Sequence, residues 1–286
     1  MIRVKAPAKI NLSLSVIGKL GAFHEVEMVM TTIDLSDYIT ITKTPDATKQ
    51  ITLKSNAPTL PTGPTNLVYQ AAEMFLKKYE ITDKIEIFIE KNIPISGGLA
   101  GGSTDAAATF KGLRDLFELE LSNENLCEMG AKIGSDIPFC IIGGTALATG
   151  RGEIITPIKS PPKCWVIIIN PRISVSTREV YGAFSFAEAD KIDTQLMLNA
   201  IENENFDEIC ALLANNLEHV TKKMLPNVID EIQAELRGNG ANGVRMSGSG
   251  ATVFALVYTE KKANQLYSHM KKTFSSYTVH LTRMLG

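Results

Sequence analysis

Two glycine-rich runs have the composition to bind an anion through their backbones. Pro94-Ile95-Ser96-Gly97-Gly98-Leu99-Ala100-Gly101-Gly102-Ser103-Thr104-Asp105 carries four glycines and a hydroxyl pair, and Ser247-Gly248-Ser249-Gly250-Ala251-Thr252 sets two glycines among hydroxyls. Glycine leaves no Cβ in the way of a phosphate oxygen. A glycine run that opens a helix also aims unpaired N–H groups and the positive end of the helix dipole at an anion. The same residues would also serve as a tight strand-to-helix turn. No Gly-Lys-Ser/Thr follows the first run and its spacing is not G-x-G-x-x-G, which excludes a Walker A loop and a dinucleotide fingerprint.

Single polar residues are more ambiguous. Asp136, in Gly134-Ser135-Asp136-Ile137-Pro138, has the setting of a helix N-cap or turn residue. Lys9 would serve as a solvated strand-end charge, and Asn11, two residues along, would share its face. His24-Glu25 is at most part of a zinc-protease motif, because Met28 stands where the second histidine is required. Cys127, Cys140, Cys164 and Cys210 are too far apart for a zinc or redox motif and read as reduced, mostly buried thiols.

Elements must carry these groups. Residues 2 to about 55 are β-rich, with Ile10 to Ile17, Glu25 to Leu35 and Tyr38 to Thr42 as separate runs, and an antiparallel sheet is the simplest reading. A helix is predicted over Asn66 to Tyr79 and a strand over Lys84 to Glu90, so the first glycine run lies between that strand and a helix marked by Ala107, Phe110, Leu113 and Phe117. Ser122 reads as an N-cap, with Glu124 in the first turn. Trp165 to Ile169 and Val253 to Tyr258 are apolar strand candidates. Helices are expected from Thr177, over Asp193 to Leu213, Val228 to Leu236 and Lys261 to Lys272, with a last strand near Tyr277 to Leu281.

The 286 residues are 44% hydrophobic and 21% charged, an ordinary globular balance that fits two lobes, 1–160 and 161–286, with Pro161-Pro162 at the boundary. Twenty-nine basic against 31 acidic residues give no footprint for nucleic acid. The N-terminal residues lack a secretory h-region and no run is long enough to span a membrane, which makes the cytoplasm the expected address. A monomer or homodimer is expected.

Together the motifs resemble the GHMP kinases. Ala6-Pro7-Ala8-Lys9-Ile10-Asn11-Leu12 resembles the first signature, Gly97 to Ala108 the second and Met246 to Phe254 the third, in family order across almost the whole chain. Pro7 to Leu12, His24 to Met28, Gly134 to Phe139 and Thr149-Gly150-Arg151-Gly152-Glu153 are similar to the branch that phosphorylates a cytidine diphosphate sugar alcohol, the diphosphocytidyl-methylerythritol kinases. The resemblance implies an α+β, two-lobed fold with the active site in the interlobe cleft. It also implies transfer of the γ-phosphoryl group of ATP to the 2-hydroxyl of the methylerythritol unit, in non-mevalonate isoprenoid synthesis.

By the same resemblance Lys9 and Asp136 are the catalytic pair. With ordinary pKa values of about 10.4 and about 3.9 they would be charged at neutral pH, leaving the carboxylate able to accept a proton. Pro94, Gly97, Gly98, Leu99, Ala100, Gly101, Gly102, Ser103 and Thr104 would cradle ATP, with Ser103 or Thr104 near Mg2+. Asn66 and Lys91 match positions near adenine; taken singly they are also an ordinary cap and a surface charge. Asn11, Phe23, His24, Thr177, Tyr181, Gly248 and Gly250 match substrate-side positions, with His24 reading the cytosine and Tyr181 packing on it.

The chain departs from the pattern at Gly21-Ala22-Phe23, where the family has Asp-Gly-Tyr in a loop about one residue longer, and at Ala100 and Thr104, where Gly and Ser are commoner. Phe23 can stack on a pyrimidine but has lost a hydroxyl bond worth about 0.5–1.5 kcal/mol. Two other readings follow: a GHMP kinase for mevalonate or homoserine, against which His24 and the Asp136 segment argue, and a non-catalytic nucleotide-binding relative, against which the intact Lys9, Asp136 and loops argue.

Overall fold

The computed structural model describes residues 1–44 and 50–285; the part of the β-rich expectation that falls on 45–49 lies outside them. The N-terminal region is built from two long strands, β1 (Ile2–Leu20) and β2 (Phe23–Lys43). The runs expected as separate strands on either side of Ser36-Asp37 are one strand. Asp37 makes no turn because its carboxylate is buried and taken up by the backbone amides of Asn92 and Ile93 and by Lys91, leaving its own backbone extended.

The chain divides into two compact units that interleave in sequence: Met1–Ala8, Ser36–Ile93 and Ala100–Ile142 form one, and Lys9–Leu35, Pro94–Leu99 and Gly143–Gly286 the other. None of the crossings falls near residue 160. A single cut there cannot separate the units, because β1 and β2 each contribute one end to either.

In the first unit β1 and β2 are followed by β3 (Ile51–Ser55) and β4 (Ile85–Glu90), in the order β3-β4-β2-β1. The expected all-antiparallel sheet is mixed instead: β4 runs antiparallel to β2 but parallel to β3. The parallel pair follows from helix α1 (Leu67–Lys78), which carries the chain from β3 back to the start of β4. Ile85, Ile87 and Ile89 alternate into the core. Helices α2 (Gly101–Leu116), α3 (Asn123–Gly130) and α4 (Ile137–Ile142) complete the unit, with Phe75 and Phe110 in the α1–α2 contact. Ser122 caps α3 as expected, in a capping box with Asn125.

The second unit adds the hairpin β5 (Thr145–Thr149) and β6 (Ile154–Pro157), of which β5 pairs with β2. After β7 (Trp165–Asn170) come α5 (Thr177–Ala183), α6 (Thr194–Glu202), α7 (Phe206–Ala211), the short β8 (Ala214–Asn215), parallel to β1, and α8 (Glu218–Met224). The helix expected over Asp193 to Leu213 is two, because Glu204 turns left-handed and Asn205 caps a new start. Then follow α9 (Val228–Gly238), β9 (Gly243–Met246), β10 (Val253–Val257), α10 (Glu260–Thr273) and β11 (Thr278–Arg283). The antiparallel sheet β11-β7-β10-β9 turns Val253, Ala255, Val257, Ile167 and Ile169 toward Ile229, Ile232 and Leu236 of α9 and Ala263, Leu266 and Met270 of α10. Each fully buried Ile, Leu or Met side chain there contributes about 1.5–3 kcal/mol.

Candidate active site

In the second unit the 97–99 end of the first glycine run is locked by neutral groups to the 247–252 run, the glycine segment of the third signature, and to Lys9 of the first. The Ser247 hydroxyl donates to the Gly98 carbonyl, the Lys9 amide donates to the Leu99 carbonyl, and the Gly248 amide donates to Asn11 Oδ1. Asn215 Nδ2 donates to the carbonyls of both Met246 and Gly248 at 2.8 Å. Gly98 is at φ +72°, and a Cβ there would lie 2.1 Å from the Ser247 carbonyl oxygen, so the close approach of the two segments admits no side chain. Gly97 is similarly enclosed, by Thr252 and Asn170. These glycines are required by packing against the 247–252 segment.

Lys9 is almost fully buried, and its ammonium donates to Asn11 Oδ1 at 2.6 Å. Asn11 has no exposure: its oxygen receives Lys9 and Gly248, and its Nδ2 donates to the Met28 sulfur. It therefore orients Lys9 and the 247–252 segment. Gly250 lies in the same segment, its amide donating to the Ser247 carbonyl.

In the first unit the start of α2 exposes three amides. Gly101, Gly102 and Ser103 precede the first intrahelical bond, Thr104 N–H to the Ala100 carbonyl, and are the N–H groups a helix leaves without an internal partner. Ala100 takes a left-handed φ of 56°, which explains why glycine suits that position better. Thr104 is buried and its hydroxyl donates to the Pro7 carbonyl, so both its amide and its side chain are used internally. Ser103 is half-buried.

The side chains of the two expected adenine-side residues have protein partners in the first unit. Asn66 caps α1, accepting from the Val68 amide and donating to the Pro61 carbonyl. The Lys91 side chain is 6% exposed and paired with Asp37 and, at 2.8 Å, with Asp105. Burial opposes the Lys91 charge, but the two carboxylates hold its pKa above the ordinary value; burial also pushes the Asp105 carboxyl up to about 7, against the attraction of Lys91. Asp136 sits half-buried before α4, and its carbonyl accepts the Cys140 amide as the first helical bond, the backbone position of an N-cap.

A third group gathers around His24 in the second unit. Its ring lies 5.2 Å from Tyr181 and 6.0 and 6.3 Å from Phe184 and Phe186. Burial, with Lys19 second, lowers the His24 pKa and keeps the imidazole neutral at pH 7. Phe23 is 54% exposed and carries the Arg151 guanidinium over its ring at 5.0 Å. Desolvation works against the Glu153 charge, but hydrogen bonds from its own amide and from Arg151 keep its pKa low, so Glu153 anchors Arg151. The Thr177 hydroxyl is bonded to that of Ser249, tying α5 to the third glycine segment.

Comparison with known proteins decides the family. The GHMP kinases N terminal domain matches residues 66–144 and the GHMP kinases C terminal domain matches residues 197–276. Proteins named 4-diphosphocytidyl-2-C-methyl-D-erythritol kinase are 46% identical in Exiguobacterium sibiricum, covering 100% of this chain and 98% of that protein, and 48% identical in Bacillus subtilis, covering 99% and 96%. The chain belongs to the 4-diphosphocytidyl-2-C-methyl-D-erythritol kinase family of GHMP kinases. A crystal structure of 4-(cytidine 5'-diphospho)-2C-methyl-D-erythritol kinase superposes with a TM-score of 0.82 at 27% identity over the whole of both chains. A homoserine kinase from Cytophaga hutchinsonii, at TM-score 0.78 but 18% identity and covering 99% of this chain and 94% of that one, shares the fold alone.

Within the first unit Asp37 and Asp105, and within the second Ser247, Asn215, Arg151, Phe184 and Phe186, contact expected site residues or their segments and were not assigned from sequence. Asp105 had a readable signal, a carboxylate one residue before an otherwise apolar Ala106-Ala107-Ala108 run. Asp37 and Asn215 had none, since their partners are 54 and 31 residues away.

Proposed function

We propose that this GHMP kinase transfers the γ-phosphoryl group of ATP to the 2-hydroxyl of 4-diphosphocytidyl-2-C-methyl-D-erythritol, a step of non-mevalonate isoprenoid precursor synthesis in the cytoplasm. Full-length identity of 46–48% to relatives bearing that enzyme's name carries the reading. Geometry within each unit supports it: free amides at the head of α2 for phosphate, a buried lysine held by Asn11, and a neutral histidine beside an aromatic ring for a pyrimidine.

The Asp136 carboxylate takes the proton of the attacking hydroxyl as its oxygen bonds to the γ-phosphorus, while the bond from that phosphorus to the β–γ bridging oxygen breaks and ADP leaves. A carboxylate is a weak base for an alcohol, so proton transfer is late and most of the acceleration comes from positioning and charge stabilisation. Lys9 supplies a fixed positive charge to the transferring group. The α2 amides hold phosphate oxygens, and neutral His24 bonds the cytosine edge.

Among the described residues no group of three His, Cys, Asp or Glu could hold a metal. A donor set of Ser103 and nucleotide phosphates fits Mg2+, a hard cation that usually keeps several waters and borrows phosphate oxygens. Bound there, the ion offsets polyphosphate charge.

The test is ADP release with the diphosphocytidyl substrate beside mevalonate and homoserine. Turnover confined to the first substrate is expected; preference for either alternative, or no turnover of any, overturns the reading.

A further inference from the structure

The buried ion cluster next to the α2 start takes no part in the phosphoryl transfer proposed above, yet it ties α2 to β2 and to the chain leaving β4. Asp37 comes from the middle of β2, Lys91 from the residue after β4, and Asp105 from the second turn of α2. Asp37 Oδ1 also receives the amide of Ile93, at 2.8 Å, together with that of Asn92, which pins the chain as it leaves β4. The ammonium of Lys91 lies so close to Gly101 that a Cβ on that residue would be 3.2 Å from it, with Ile93 Cγ2 at the same distance. So the side of Gly101 that a side chain would occupy faces the ion cluster, and the residue's lack of a Cβ serves Lys91.

A buried ammonium beside a helix N-terminus is unfavourable, since the unpaired N–H groups there carry positive partial charge. Desolvation adds to that cost unless the charge is paired and hydrogen-bonded. Burial on this scale for an ion pair at a surface-proximal helix start is weak evidence for stability alone; it is better accounted for by a need to fix geometry. Asp105 has one oxygen, Oδ1, buried without a hydrogen-bond partner, so the carboxylate is committed to Lys91 through Oδ2 and is not optimised as a stabilising group.

We propose that Asp37, Lys91 and Asp105 form a positioning triad that sets the orientation of the Gly101, Gly102 and Ser103 amides, and thereby the affinity of the enzyme for the nucleotide polyphosphate. Lys91 acts through Gly101 and does not contact the nucleotide. The triad is a different device from the neutral lock on Gly98 and governs a different parameter. The inference rests on the ATP reading of the α2 start given above.

The experiment compares the full-length enzyme with its Asp105→Asn and Lys91→Met variants in steady-state kinetics for both substrates, with direct ATP binding and melting temperature measured on each. Asp105→Asn keeps the Lys91–Asp37 pair and is the milder change; Lys91→Met leaves two carboxylates uncompensated and is the one at risk of misfolding. For Asp105→Asn the KM and Kd for ATP rise about tenfold, while the KM for the cytidine substrate moves less than about twofold. Gly101→Ala, which crowds Lys91 without altering charge, reproduces the same split. A lowered melting temperature with unchanged ATP affinity makes the triad purely structural and overturns the inference, as does an equal rise in both KM values. In either case the parent's own turnover with ATP stands, which separates failure of the triad from failure of the kinase reading; a parent that neither binds nor turns over ATP overturns both.

Discussion

The segment ending at Leu99 and the helix start that follows it in sequence are secured by opposite physics. The first is held by amides, hydroxyls and a glycine packed against a carbonyl. The second is held by one ammonium between two carboxylates. Neutral networks respond little to pH or salt and fail when a side chain is forced in. Buried charge clusters tolerate small steric changes but fail when one partner is removed. Motifs adjacent in sequence can therefore report separately, one through folding and the other through ligand affinity.

The largest effects are expected where reactive groups project from these frames. Lys9→Ala and Asp136→Asn should each lower kcat about 10²–10⁴-fold, with ATP binding retained, in single-turnover and nucleotide-binding assays. Near-normal turnover in Asp136→Asn removes it as the proton acceptor.

Next in size is a steric test of the neutral lock. Gly98→Ala places a Cβ against the Ser247 carbonyl at a left-handed φ and should destabilise by about 3 kcal/mol in thermal or urea denaturation. Gly101→Ala, where the nearest atoms are the end of Lys91 and a methyl of Ile93, should cost about 1 kcal/mol. Equal losses at the two positions would erase the contrast between the frames.

The charged frame should also carry a pH signature that the neutral one lacks. Asp105 has its carboxyl raised from 3.8 to about 7, so the folded state holds its proton more tightly than the unfolded chain. Its contribution to stability is complete below pH about 4 and is lost as pH rises through about 7. Melting temperature against pH should therefore fall more steeply across that window in the parent than in Asp105→Asn; parallel curves would show that Asp105 titrates normally.

The smallest effect concerns the pyrimidine. His24→Ala should raise the KM of the cytidine substrate about tenfold, whereas Phe23→Tyr should lower it by about threefold, because an unpaired buried edge costs more than a missing hydroxyl on an exposed ring. An inert His24→Ala would displace the cytosine site from this aromatic group.

Much of this was legible in the sequence because it is local. The period of Ile85, Ile87 and Ile89, the Asn66 and Ser122 caps and the glycine run ahead of α2 are each written within a few residues. His24 and Tyr181, far apart in sequence, were paired only by family resemblance, and their rings do meet. What stayed hidden depends on partners distant in sequence. Asp37 reads as a turn residue until its contacts with Asn92 and Ile93 are known, and the bond from the Gly248 amide to Asn11 joins residues too distant to be paired from sequence. The close approach of the Ser247 carbonyl to Gly98 was hidden for the same cause.

The parallel pairing of β8 with β1 has a consequence for how the protein is made. Ser13 is matched to Ala214, the Val16 amide donates to Asn216, and the Leu285 amide reaches back to the Thr32 carbonyl. Such contacts give the second unit a high contact order, and a nascent chain halted anywhere before residue 214 would display the unpaired flank of β1 to other chains. Translation at about 5–20 residues per second leaves that flank open for many seconds. The early part of this enzyme thus waits for its own later residues to cover it.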